Sequence, residues 1–509
     1  MVDSGSHAVR SKKRDSPKSM ILMWLLSLST IKMFSSFRSL LQIPAHTGER
    51  PILLTEVDTS PDIFTAEEVA KHNTPADCWL LIHGKVYDVT RWVPHHPGGS
   101  MIFVRAGGDC SQLFDSYHPL ATRLLLEKFY VGELDKTDRD TPGIVEYQSD
   151  TQEGEFYEVL KRRVEKFFRG NELNPRTSFD WRLKSVIILL SFAVSFYATF
   201  FAFQSFAASA LCACLLGVSM GQVGISIVHD VNHGSGLSSA SSRYALGAIV
   251  DLVGVSSFMW RQQHVVGHHA YTNLACDPDI RVSDCDARRV APHHPKQPFH
   301  AFQHVYLAAL YGLLKVKSVL VDDFAALARG SIGQLRLSRM TPGEAFMFWA
   351  CKFLYAAYYI ALPALYSPHG WRALAALWII AEVLAGWMLA FLFQVAHITG
   401  EVEFLDSDGG KVERGWAAGQ VATTADFSHG SWLWTQFSGG LNYQVVHHLF
   451  PNICHTHYPA IAPIVMDTCR EYNIPYKVFP NFRSALWAHF AHLKEMGAAQ
   501  MIPSFATIG

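Results

Sequence analysis

Closely spaced histidines dominate the chemistry open to this chain. In His229-Asp230-Val231-Asn232-His233 two imidazoles lie four residues apart, so a single helix face would present both. Gln263-His264-Val265-Val266-Gly267-His268-His269 repeats that spacing and adds a neighbour. His397 follows Gln394-Val395-Ala396, and a last pair sits in Leu441-Asn442-Tyr443-Gln444-Val445-Val446-His447-His448-Leu449-Phe450-Pro451. Neutral imidazole suits iron, copper, zinc or nickel, but two or three side chains do not hold a redox metal alone. The clusters therefore carry function only if the fold brings them together. With 25 histidines in the chain, one pair at a spacing of four is expected by chance, whereas three clusters plus His397 are not.

Composition narrows the class. The 509 residues are 49% hydrophobic with a formal charge of −1, which fits a membrane protein of more than one domain and gives no electrostatic footprint for nucleic acid. Nine cysteines without a Cys-x-x-Cys pair fit a reducing compartment rather than a disulfide framework.

The elements that must position the histidines can be taken in order. Residues 1–61 form a basic and partly apolar extension, with Arg10, Lys12, Lys13, Arg14 and Lys18 before a short apolar run; it reads as a targeting segment or a disordered basic tail. Residues 62–136 read as a compact α+β domain. Thr65 and Glu68 form a capping box, and two strands flank a turn at His83-Gly84. His96-Pro97-Gly98-Gly99 follows, and His118 stands 22 residues after His96. Residues 137–182 read as a linker with an interfacial helix.

Residues 183–490 carry the membrane character. No Asp, Glu, Lys or Arg occurs between Lys184 and Asp230, enough for two helices of about 20 residues turning at Phe203-Gln204-Ser205. A second pair is predicted at 345–366 and 372–396, and residues 491–509 form a tail. Two hairpins put the 62–136 domain, residues 229–344 and everything after 397 on one side. Lys and Arg are abundant there and nearly absent from the two turns, so that side is expected to be cytosolic. Within the second hairpin Lys352 can snorkel, whereas Glu382 lies deeper and requires a partner. His293, His294, His300 and His304 read as structural, and His429, His455 and His457 flank the last pair without fitting its pattern.

The strand hairpin, His-Pro-Gly-Gly and the second histidine together resemble cytochrome b5 over roughly residues 62–136. That resemblance implies one haem b with His96 and His118 as axial ligands, His95 being the neighbouring competitor. With both axial positions filled, such a haem passes electrons rather than binding oxygen.

HDxxH, HxxxHH and QxxHH resemble the three histidine boxes of membrane fatty acid desaturases. The N-terminal cytochrome b5 and the glutamine in the third box narrow this to the front-end desaturases. The resemblance implies an α+β haem domain followed by an all-α membrane domain with four transmembrane helices and a cytosolic, histidine-rich di-iron cap. Two non-haem irons would be held by His229, His233, His264, His268, His269, His397, His447 and His448. Gln444 would act beside them, and Asp230 would orient a ligand histidine.

The implied reaction is O2-dependent insertion of a cis double bond between the carboxyl end and an existing double bond of a long-chain polyunsaturated fatty acyl substrate. The segments 260–273 and 292–304 look more like Δ4 or Δ5 enzymes than Δ6. NADH-cytochrome b5 reductase would supply electrons, and membrane lipid would surround the spans. The endoplasmic reticulum is the implied location, with the plastid envelope as the alternative. Sphingoid-base Δ8 desaturases share the haem domain and the QxxHH box. A non-catalytic, membrane-anchored haem electron carrier is the rival from another class.

Overall fold

The computed structural model describes residues 61–138, 145–148, 151–280, 286–405 and 411–500. The N-terminal extension through residue 60 and the last residues of the tail lie outside these. Strand β1 (Asp62–Phe64) leads into helix α1 (Ala66–Lys71), opened by the expected capping box. The Glu68 N–H donates to Thr65 Oγ1 at 3.2 Å and the Thr65 N–H donates to Glu68 Oε2 at 2.8 Å.

Strands β2 (Asn73–Thr74), β3 (Asp77–Ile82) and β4 (Lys85–Asp88) follow. His83 and Gly84 both take positive φ, 51° and 74°, the backbone that a two-residue hairpin turn requires. Helix α2 (Ser111–Tyr117) then crosses to β5 (Tyr130–Leu134). The sheet order is β1-β5-β4-β3-β2, with β1 and β5 parallel and the remaining pairs antiparallel. Cys78, Leu80 and Ile82 of β3 pack with Tyr87, Val93 and Phe114 as the core of this domain.

Helix α3 (Thr151–Gly170) carries Phe156, Leu160, Val164 and Phe168 at intervals of four, so they form one buried stripe. That stripe packs on Tyr443, Leu449 and Ile461 beside the last histidine pair.

The membrane part starts with α4 (Phe179–Ala202) and α5 (Phe206–Asn232). Ser178 and Ser205 cap their N-termini by accepting from the Trp181 and Ala208 N–H groups. Residues 257–271 form helix α6. Then come α7 (Pro298–Arg329), α8 (Pro342–Tyr366) and α9 (Trp371–His397). Five of these helices are long and apolar enough to cross a membrane, and four of them are those expected from sequence. The fifth is α7, which lies within the 229–344 stretch expected on one side of the membrane. Outward residues such as Val186, Ile187, Leu190, Phe353 and Ile360 are exposed apolar side chains, as a lipid-facing surface requires. Inside, Ala213 and Leu216 of α5 meet Ala381 and Ala385 of α9, small residues that let two helices approach closely. Helices α10 (Gln444–Leu449), α11 (Tyr458–Glu471) and α12 (Phe482–Ala498) complete the fold.

Glu382 has the partner its position demands. Lys315 of α7 donates to both carboxylate oxygens, at 2.8 and 2.9 Å, and the Tyr355 hydroxyl donates to Oε1 at 3.2 Å. Lys352 is held by Asp323 Oδ2 and the Gly254 carbonyl, each at 2.6 Å. Because the Lys315–Glu382 pair is fully buried, removing one partner strands the other charge. Glu382→Leu should therefore destabilise by about 3–5 kcal/mol, and adding Lys315→Met should recover most of it. Thermal unfolding of the purified variants in detergent checks this; equal melting temperatures for the single and double variants would show that the pair is not coupled.

Candidate metal centre

The membrane hairpins and the elements after them deliver histidines to one place. His229 lies near the end of α5 and His233 directly after it, following π-helical turns at Val223–Val228. His264, His268 and His269 ride on α6, whose Arg261–His268 stretch is also π-helical. His397 ends α9, and His447 and His448 lie on α10. π-Helical turns change which side chains share a helix face and gather at functional sites.

The ligand nitrogens of His229, His233, His264 and His447 all lie within 4.8 Å of one another, and those of His268, His397 and His448 form a second such group. His269 sits between the groups, its ring centre 4.5 Å from that of His233 and 4.4 Å from that of His448. Its Nε2 is 3.1 Å from His447 Nε2. All eight side chains are buried.

Most of the rings are held from behind. Asp279 Oδ2 and Asp277 Oδ2 each lie 2.9 Å from the Nδ1 of His264 and His268. Gln420 Oε1 is 2.7 Å from His448 Nδ1, and the Thr423 carbonyl is 3.3 Å from His397 Nδ1. The Tyr458 and Tyr117 hydroxyls take the Nδ1 of His447 and His233, at 3.1 and 2.6 Å. A histidine fixed through one nitrogen presents the other as a lone pair in a defined direction. That other nitrogen, Nε2, has no hydrogen-bond partner on His233 and His264 although it is buried, and both ring nitrogens of His229 are likewise unpaired. Buried polar atoms without partners are costly. Inward-facing nitrogens, left unpaired in the first group and met by the Gln444 amide in the second, fit a pair of metal ions.

Electrostatics agrees with neutral imidazoles. Burial pulls the His264 imidazolium down to about 4, against the opposing pull of Asp279. Burial, reinforced by neighbouring histidines, holds His233, His269, His447 and His448 well below the ordinary range. His268 is the exception: burial opposes its charge, and the Asp277 carboxylate outweighs burial and raises it.

Gln444 lies at the second group. Its amide nitrogen is 3.2 Å from His397 Nε2 and 3.4 Å from His448 Nε2, while its buried oxygen has no partner. Turning the amide would direct the carbonyl oxygen at the same point, so this side chain can offer a neutral donor there.

In the N-terminal domain the rings of His96 and His118 have centres 5.9 Å apart. Metal–nitrogen bonds of about 2 Å on each side would place one ion between them. His96 Nδ1 lies 3.2 Å from the Gly99 carbonyl and His118 Nδ1 3.0 Å from that of Phe114, leaving both Nε2 atoms for a metal. A Cβ at Gly98 would stand 2.6 Å from His96 Cε1, so glycine is what lets the loop lie against this ring. His95 is exposed.

Residues 65–135 match the family described as "Cytochrome b5-like Heme/Steroid binding domain" and residues 204–480 the family "Fatty acid desaturase". The chain belongs to the fatty acid desaturase family. It is 52% identical to the "Acyl-lipid (8-3)-desaturase" of Physcomitrium patens over 86% of this chain and 92% of that one. It is also 34% identical to the "Acyl-lipid (8-3)-desaturase B" and the "Delta(5) fatty acid desaturase A" of Dictyostelium discoideum, over 86% and 85% of this chain and 94% of each relative. The cytochrome b5-like domain accounts for a haem, and the histidine groups of the desaturase domain for two non-haem irons.

Not every expectation about this desaturase site survives. Asp230 was expected to orient a ligand histidine, but His229 Nδ1 lies 3.9 Å from it. Its Oδ2 is instead 2.8 Å from Nδ1 of His455, whose Nε2 meets Lys184 Nζ at 3.1 Å. Sequence reading also passed over Asp277, Asp279, Gln420 and Tyr117. An Asp-Pro-Asp run just after the second box was the one available signal.

Two outcomes follow. His96→Ala and His118→Ala should abolish the haem absorbance of the purified protein while His95→Ala retains it; a haem-free His95→Ala would move the ligand. Histidines whose folded pKa is depressed stabilise the fold above the unfolded value near 6.5, and that stability is lost as pH falls toward about 4. Protein stripped of iron and haem should therefore melt at a lower temperature at pH 5 than at pH 7.5, and a flat profile would contradict neutral burial.

Proposed function

We propose that this membrane protein is a front-end acyl-lipid desaturase that inserts a cis double bond at Δ5 of a long-chain polyunsaturated fatty acyl chain. The observation that carries the reading is the convergence of eight buried histidines, two adjoining groups with His269 between them, beside a docked haem-type domain. The relative named "Delta(5) fatty acid desaturase A" supports the choice of position.

His229, His233, His264 and His447 would hold one iron and His268, His397 and His448 the other, with His269 between them. Bound there, the iron pair supplies the dioxygen-dependent removal of two hydrogens that no side chain can perform on an unactivated methylene. The chain's own residues do the positioning. Asp277 and Asp279 keep protons on the Nδ1 atoms of His268 and His264, so their Nε2 lone pairs point inward. Gln444 offers a neutral amide at the second group, and Trp260 and Phe393 wall off His229 and His264 with aromatic rings. His96 and His118 would hold the haem, which would supply one-electron transfer to the iron pair with NADH-cytochrome b5 reductase as the donor. The excess of Lys and Arg on the histidine side supports a cytosolic site, and the endoplasmic reticulum is the membrane proposed for it.

Expression in a yeast lacking polyunsaturated desaturases, fed a panel of polyunsaturated acids, tests the reading. Mass spectrometry should locate the new bond at Δ5; bonds at Δ4 or Δ6 would reassign the position, and a modified sphingoid base would change the substrate class. Purified protein should hold two irons per chain beside its haem. Gln444→Ala should lower turnover about 10–100-fold. Retained turnover in Gln444→His would favour a metal-donor role, and loss in both variants a shape or contact role.

A further inference from the structure

The two cofactor sites are joined through a single side chain. Tyr117 is the last residue of α2 and stands directly before His118. Its hydroxyl lies 2.6 Å from Nδ1 of His233, and its ring lies nearly parallel to that imidazole, at 18° with centres 6.4 Å apart. Within the b5-like domain no other side chain among the described residues is hydrogen bonded to one of the eight clustered histidines. The position of Tyr117 is held independently. Asn452, two residues after Phe450 at the end of the third box, donates to the Tyr117 carbonyl at 2.8 Å. Lys161 of α3 donates to the Asp115 carbonyl two residues earlier.

The docking that brings Tyr117 there is extensive. Gln262 Nε2 and Ser338 Oγ both donate to the Val104 carbonyl, at 3.0 and 2.7 Å, and an Arg105 N–H donates to the Arg336 carbonyl at 3.0 Å. Val104 and Leu113 pack against Val266, Ala270 and Tyr271 of α6. The b5-like domain is therefore seated on the box-bearing helices rather than merely tethered near them.

We propose that Tyr117 is the electron bridge of this protein. The route runs from the His118 ring through the peptide joining residues 117 and 118, along the tyrosine side chain, and across one hydrogen bond into His233. It consists of covalent bonds and that one 2.6 Å contact, with no through-space jump. This assignment rests on the desaturase reading above. In the transfer one ferrous haem loses an electron and becomes ferric, and one ferric non-haem iron gains it and becomes ferrous. No bond forms or breaks, and Tyr117 carries no net oxidation or proton loss. The hydrogen bond has a second consequence, because it sets the tautomer of His233 and aims Nε2 at the cluster. Tyr117 is in that respect a positioning residue.

The test uses full-length holoprotein, wild type and Tyr117→Phe, compared at matched haem and iron content. One electron equivalent of dithionite is added anaerobically, and haem absorbance follows the electron as it leaves the haem for the ferric pair. Wild-type haem should reoxidise, and Tyr117→Phe should do so slower by about tenfold or more, with an unchanged haem midpoint potential. In a second arm the iron pair is reduced directly with dithionite and a small mediator, then given O2 and substrate for a single turnover. There the variant reports only the effect of the lost hydrogen bond on His233, and its product yield should fall by less than its haem reoxidation rate does.

Equal haem reoxidation rates would overturn the bridge, as would an altered haem potential or a loss in the mediator arm as large as the loss in the haem arm. Wild-type protein that forms no product in the mediator arm would instead sink the desaturase reading itself. Should Tyr117→Phe lose haem, Asn452→Ala, which removes the hydrogen bond to the Tyr117 carbonyl, must show the same split between the arms or the bridge is wrong.

Discussion

The structure depends on keeping a dense group of buried imidazoles neutral and aimed. Each imidazole has two nitrogens, and a ring free to turn offers no fixed donor. Six of the eight rings have a hydrogen-bonding group behind Nδ1, contributed by Asp277, Asp279, Gln420, Thr423, Tyr458 and Tyr117. Those groups need anchoring in turn. Asp277 is fully buried, a costly place for a carboxylate unless its lone pairs are taken. It accepts from the Asn273 N–H at 2.9 Å as well as lying against His268, and Asp279 accepts from Gln263 Nε2 at 2.7 Å. The Asn273 side chain reaches on to the carbonyls of His397 and Glu403, at 2.9 and 3.0 Å. One polar network thus ties the second box, the end of α9 and the following loop into a single rigid support.

Membrane helices make that support possible. A span must satisfy its own backbone hydrogen bonds within the bilayer, so irregular turns that can gather side chains belong near its ends. The histidines of α5 and α9 sit at such ends, and on α5 the π-helical turns adjust their facing without breaking the helix. Lys315 and Glu382 show the opposite case. A charge pair buried between helices is tolerated only because both partners are placed and Tyr355 adds a third contact.

How much could be read from residues alone follows the range of each interaction. The Thr65 cap, the His83-Gly84 turn and the charge-free spans depend on residues a few positions apart, and they stand where sequence placed them. The boxes were visible as spacings. What stayed hidden joins distant positions: Asp230 to His455 across 225 residues, Lys315 to Glu382 across 67, Tyr117 to His233 across 116. A spacing of four identifies His264 and His268, but nothing local shows that a π-helical stretch carries them. The demand that Glu382 have a partner was legible; which lysine supplies it was not.

Fusion alone would not explain the seating of the b5-like domain. A flexible linker raises the effective concentration of a tethered partner to the millimolar range without any defined contact. Here the contacts are defined, and several involve box neighbours. Gln262 and Val266 flank His264 in sequence and touch the domain through Val104, while Asn452 follows His448 by four residues and holds Tyr117. A residue beside a metal ligand cannot shift without moving that ligand. The domain therefore acts on this centre as part of its outer support, and loosening the interface should disturb the histidines as well as the distance an electron must cross.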